Sequence, residues 1–161
     1  MVILRAFSVY LSQIFMLPST HIASGVILFV LSQVAGINPL LSLPLVIGAV
    51  LPDFDYVIKR NHRTQITHAP LFWFLSLTPL ALIWQQFLFL EIGVFVHLIL
   101  DTIDWGIMWL HPYETSLHGG IMRKKNIRSR YIHHYLSHKG FVALEVLFLL
   151  SAVFSSYFVL L

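Results

Sequence analysis

The chain has 161 residues, 58% of them hydrophobic and 11% charged, with a formal net charge of +3 and a mean hydropathy of +0.82. A water-soluble fold of this size has too little interior to hide so much apolar surface, which argues against a soluble enzyme or binding module. Cysteine is absent, which excludes disulfide frameworks, zinc fingers and iron–sulfur clusters and leaves imidazole and carboxylate as the only donors for a metal.

In chain order, residues 2–17 form the first apolar stretch. No small-residue cleavage pattern follows it, so it reads as a retained helix, spanning or interfacial. Residues 22–35 and 40–51 are two shorter apolar segments separated by Gly36-Ile37-Asn38-Pro39, a strong turn signal. Residues 71–90 predict a spanning helix with a kink at Pro79, Glu91 and Gly93 punctuate the next turn, and 94–110 predict another helix. The loop 111–120 should be irregular, 122–139 is basic, and 141–161 is the final span. The expected fold is all-α: one membrane-embedded domain over residues 1–161, a polytopic bundle of five to six helices, some of them short. The count is six if 2–17 spans and five if it lies in the interface.

Nine of the ten Lys and Arg residues fall in two places, 59–63 and 123–139. Cytoplasmic loops are enriched in such residues, and two helices separate these clusters, so both are expected on the cytoplasmic face of the cell membrane. The pair of segments 22–51 is also an even number of passes, which returns His21 to the face that carries Asp53.

The chemistry-bearing residues are ones that a lipid-embedded chain should avoid. An ionisable group inside a span costs roughly 2.5 to 3.5 kcal/mol on insertion scales and usually faces a bundle interior. His97, Asp101 and Asp104, spaced by four and three, share one helical face that Met108 and His111 would continue. Such a stripe either binds a cation, which would offset the burial of the acids, or pairs with neighbouring helices. Leu51-Pro52-Asp53-Phe54-Asp55 places two carboxylates two residues apart at a membrane surface. They are candidate metal ligands, or Asp53 merely caps a short helix. His62, Arg63 and His68 supply further imidazoles and a guanidinium near that surface, and His21 begins its own helix.

The basic stretch 122–140, with Ile127, Tyr131 and Tyr135 at spacings of four, reads as an amphipathic helix on an anionic lipid surface. Nucleic-acid binding by the same charges finds little support. His134 and His138 are also four apart, but no acid accompanies them. Their role, like that of His111 and His118, is left open, as is the oligomeric state.

The succession Thr20-His21, Leu-Pro-Asp-Phe-Asp at 51–55, His62-Arg63 with Thr67-His68, and His97-Leu-Ile-Leu-Asp101 with Gly106 and Pro112 resembles a family of small membrane-bound metal-dependent hydrolases, also described as LexA-binding inner-membrane-associated hydrolases. The resemblance covers roughly residues 19–115. It implies that His21, Asp53, His68, His97 and Asp101 are metal-site residues, with a divalent metal, zinc first and manganese as the alternative, in one to three ions. Where the family has Thr and Ser, this chain has Asp104 and Ala69. Asp55 and Asp104 are then candidates to orient or deprotonate a metal-activated water, and His62 and Arg63 to bind substrate. The expected substrate is a phosphoester, a phospholipid or a lipid-linked phosphate. Two other readings use the same sequence: a metal or proton transporter with an intramembrane His/Asp pathway, and a non-enzymatic membrane anchor for a partner protein.

Overall fold

Prolines start most of the helices. In the computed structural model, which describes residues 18–54, 66–104, 106–114, 116–120 and 139–160, α1 (Pro18–Val34), α2 (Pro39–Ser42), α3 (Pro44–Gly48) and α4 (Pro70–Ala81) each open on a proline. At that position the missing N–H would be unpaired anyway and the fixed φ suits the helix. A 3-10 turn over Leu51–Phe54 follows α3, and α5 (Gln85–Asp104) and α6 (Lys139–Leu160) complete the set. The described residues are thus helical, with one isolated antiparallel bridge, Ile107 to His118.

Several expected boundaries are corrected. The stretch 40–51 is not one helix, because Pro44 restarts it after Ser42 and the chain tightens into the 3-10 turn. The stretch 71–90 is interrupted at 82–84, three residues beyond Pro79, which lies inside α4. The turn expected at Glu91 and Gly93 is absent: both lie within α5, where Glu91 is buried and accepts a hydrogen bond from Thr78 Oγ1 of α4 at 2.7 Å. The last of these helices ends at Asp104, not near 110, so Met108 and His111 lie in the following loop rather than on the helical stripe. Its terminator is Gly106, with φ +90°, whose N–H donates to the Asp101 carbonyl at 2.9 Å. A left-handed residue closing a helix in this way is a glycine role.

Packing centres on α5, which lies against α3 and α4, while α1 runs along α6 and touches α3 and α5. The α3–α5 crossing is a glycine contact. A Cβ on Gly48 would lie 2.2 Å from Leu90 O, and one on Gly93 2.3 Å from Leu45 O. Such close approach of small residues is how helices associate where no hydrophobic effect drives them together. Beside the crossing, Leu77, Val94, Leu98 and Ile107 form the apolar core.

The distribution of polarity is inverted relative to a soluble domain. His21, Thr20, Ser42, His97 and Asp101 are among the most deeply buried side chains, whereas Leu31, Val34, Leu75, Leu82, Ile83, Val153 and Phe154 are more than half exposed. Lipid tolerates that exterior and water does not. Among the described residues, Gln85–Ile103 is the one stretch long and apolar enough to cross a membrane. The segments 2–17 and 122–138, expected to be a first helix and an amphipathic helix, lie outside the described residues.

Candidate metal centre

All the site-bearing elements meet at one end of the bundle. His21 is in the first turn of α1, Asp53 in the 3-10 turn after α3, His68 just before α4, and His97 and Asp101 in the last two turns of α5. With 1.5 Å of rise per residue, Asp101 lies only about 4.5 Å from the end of α5. Ligands on the neighbouring loops therefore need not dip far into the bundle, as a helix continuing to residue 110 would have required.

Five residues spread over 80 positions of sequence converge there. His68 Nε2 lies 3.5 Å from Asp53 Oδ1 and 3.4 Å from Asp101 Oδ2. His97 Nε2 lies 3.6 Å and 3.5 Å from the same two oxygens. His21 Nε2 faces the other oxygen of Asp101, Oδ1, at 3.5 Å, and its ring stacks on that of His97 with centroids 3.9 Å apart and planes at 22°. His21, His97 and Asp101 are at most 1% exposed and His68 4%, whereas Asp53 is 23% exposed and forms the accessible edge.

Burying three imidazoles beside two carboxylates costs free energy unless every polar atom is satisfied. The outer nitrogens show how two of the rings are held. His97 Nδ1 lies 2.8 Å from the Ala49 carbonyl; a carbonyl only accepts, so Nδ1 carries the proton and Nε2 presents its lone pair to the acids. That Nε2 is buried without a hydrogen bond among the described residues. His68 Nδ1 lies 3.1 Å from Thr67 Oγ1, and the Thr67 carbonyl accepts from Trp73 Nε1 of α4 at 2.6 Å. This is the arrangement of metal-ligating histidines, whose second nitrogen is fixed by an oxygen so that the first is aimed. Burial raises the Asp53 carboxyl, yet the His68 hydrogen bond and the neighbouring His97 and His21 rings outweigh it and hold Asp53 below the usual carboxylate range.

The donors fit a divalent ion. Two overlapping groups, His21 with Asp53 and His97, and His68 with His97 and Asp101, have ligand atoms close enough to share one. Two carboxylates and neutral imidazoles form a donor set suited to zinc or manganese. Asp55, His62 and Arg63 lie outside the described residues, and of Asp104 only the backbone, in the last turn of α5, is described.

One buried acid escaped the sequence reading. Glu145 on α6 is 6% exposed and accepts hydrogen bonds from both Ser19 and Thr20, the two residues before His21. The available signal was a single acid in an otherwise apolar span, which calls for a partner. His111 and His118 are not drawn into the cluster's described contacts; His118 instead lies 2.7 Å from Glu114 on the exposed loop, where Ser116 and His118 hold the Glu114 carboxyl below its ordinary range.

No curated protein and no solved structure matches this chain. The family model described as YdjM inner membrane protein matches residues 16–160, a span that begins before His21 and ends after Glu145. The chain accordingly belongs to the YdjM inner membrane protein family and is a membrane-associated protein.

Proposed function

We propose that this protein is a membrane-embedded, metal-dependent hydrolase that cleaves a phosphoester of a phospholipid or lipid-linked phosphate. The observation that carries the reading is the buried meeting of His21, Asp53, His68, His97 and Asp101, with His97 Nε2 aimed inward by the Ala49 carbonyl. A divalent ion bound there would acidify a water toward neutrality and polarise a phosphoryl oxygen. The two carboxylates balance the ion's charge, and the buried rings hold the donors rigid and keep bulk water from all sides but that of Asp53. Asp55 and Asp104, two and three residues beyond Asp53 and Asp101 in sequence, are the candidates to take the water's proton. His62 and Arg63 are the candidates to hold a phosphate oxygen.

A multi-pass arrangement with the site at the cytoplasmic face puts these groups at head-group depth. There a lipid can reach them without leaving the bilayer, with the basic stretch 122–140 against anionic lipid. The test is metal analysis of the purified full-length chain in detergent, followed by assays on vesicles that contain phospholipids or lipid-linked phosphates. Stoichiometric divalent metal and phosphoester hydrolysis, both lost in Asp101→Asn, are expected. Absence of metal would overturn the reading, and ion flux without turnover would favour transport instead.

A further inference from the structure

Two of the three imidazoles in the cluster are aimed by an oxygen behind the ring, the Ala49 carbonyl for His97 and Thr67 Oγ1 for His68. The third is held differently. His21 Nδ1 is buried with no hydrogen-bond partner among the described residues, although His21 belongs to the donor group it forms with Asp53 and His97. A histidine without an outer partner has to be aimed by its backbone, and the backbone of His21 stands at a weak place. It lies in the first turn of α1, where the N–H groups have no intrahelical acceptor and helices fray.

What holds that turn is an acid from another helix. Ser19 Oγ donates to Glu145 Oε1 and Thr20 Oγ1 donates to Glu145 Oε2, so the two oxygens of one carboxylate grip the two residues before His21. The grip is shielded, since Thr20 is wholly buried and Glu145 nearly so. A carboxylate at the positive end of a helix is itself a favourable placement. Within α1, Ser24 Oγ donates to the His21 carbonyl at 2.8 Å. With the turn fixed from both sides, the His21 ring lies on that of His97 and its Nε2 reaches Asp101 Oδ1.

We infer that Glu145 is a positioning residue of the metal centre: through Ser19 and Thr20 it fixes the first turn of α1 and with it the place of His21. Helix α6, which supplies no donor to either described group, thereby sets the geometry of the site. The inference rests on the metal-centre reading above and extends it. A similar pair elsewhere in the bundle provides a comparison. Thr78 Oγ1 donates to the buried Glu91 between α4 and α5, but Glu91 is six positions from His97 and Thr78 ten from His68, so this bond holds two helices together without gripping the neighbours of a donor.

The experiment titrates the metal-stripped full-length protein in detergent with Zn²⁺ and follows amide hydrogen exchange over residues 19–25. Glu145→Leu should bind Zn²⁺ about tenfold more weakly, the lower end of the usual effect of losing a partner behind a ligand, and should exchange faster over 19–25. Glu145→Gln, whose amide oxygen still accepts, should recover most of the affinity. Thr78→Val should unfold more easily than wild type yet bind Zn²⁺ and exchange over 19–25 as wild type does. If Glu145→Leu does not fold, as judged by circular dichroism, Thr20→Val makes the same test, because it removes one donor at nearly constant volume; a loss of about threefold or more, with faster exchange over 19–25, is expected. Wild-type affinity in Glu145→Leu or Thr20→Val, or an equal loss in Thr78→Val, would overturn the inference while leaving the metal centre standing. No Zn²⁺ bound by wild type would instead remove the metal-centre reading, and the inference with it.

Discussion

Glu145 shows how a single side chain ties remote parts of this molecule together. It is the only acid in α6, its neighbours Val146, Leu147 and Leu150 face outward, and it accepts from the hydroxyls of Ser19 and Thr20. Interhelical hydrogen bonds in membranes contribute roughly 0.5 to 2 kcal/mol each. Glu145→Leu should therefore destabilise the protein by about 1 to 3 kcal/mol. In Glu145→Gln the amide oxygen still accepts, and less than half of that loss is expected. Equilibrium unfolding of both variants in mixed detergent micelles measures the difference; equal losses would show that the carboxylate charge, not its acceptor geometry, holds α6 to α1.

At the scale of elements, the α3–α5 crossing controls the centre. The carbonyl that aims His97 belongs to Ala49, immediately after Gly48. The contact that brings Ala49 to α5 exists only because neither Gly48 nor Gly93 carries a side chain. In Gly93→Ala the new Cβ would lie 2.3 Å from Leu45 O and 3.0 Å from Ala49 N. Both are backbone atoms that cannot rotate away, so the helices must separate. The expected result is a loss of about 1 to 3 kcal/mol in stability together with a drop of at least about tenfold in metal affinity, because the His97–Ala49 bond is stretched. Unfolding and Zn²⁺ titration of the same preparation report both effects. A stability loss with unchanged affinity would show that His97 keeps its aim without that carbonyl.

For the whole molecule, the decisive property is which side of the membrane the site faces. Its donors come from the starts of α1 and α4 and the ends of α3 and α5, so one end of the bundle carries them all. The basic clusters at 59–63 and 123–139 flank these ends in sequence, and positive charge marks the cytoplasmic side. The native chain has no cysteine, so Arg60→Cys and Lys125→Cys provide clean single labels. Both should resist an impermeant thiol reagent added outside intact cells and react with it once the membrane is opened. Protection of one site without the other would refute the shared face.

What the sequence determined by itself was composition and local spacing. An apolar, cysteine-free chain had to be helical in a membrane and could offer only imidazole and carboxylate to a metal. The interval of four between His97 and Asp101 placed them on one face because a helix repeats every 3.6 residues. Helix boundaries were less legible. The expected segments ran through Pro44 and Gly106, both of which end helices in the structure, the break at 82–84 carries neither glycine nor proline, and Glu91 resembled a loop residue until Thr78 supplied its partner. The roles of Ala49 and Glu145 were not legible at all. Each acts through an atom, a main-chain carbonyl or a carboxylate, whose partner is 48 or more positions away, and no local spacing encodes such a distance. Which oxygen of Asp101 faces which histidine depends on how α1, α3 and α5 cross. That crossing was decided by glycine contacts between helices, which exist only in the folded bundle.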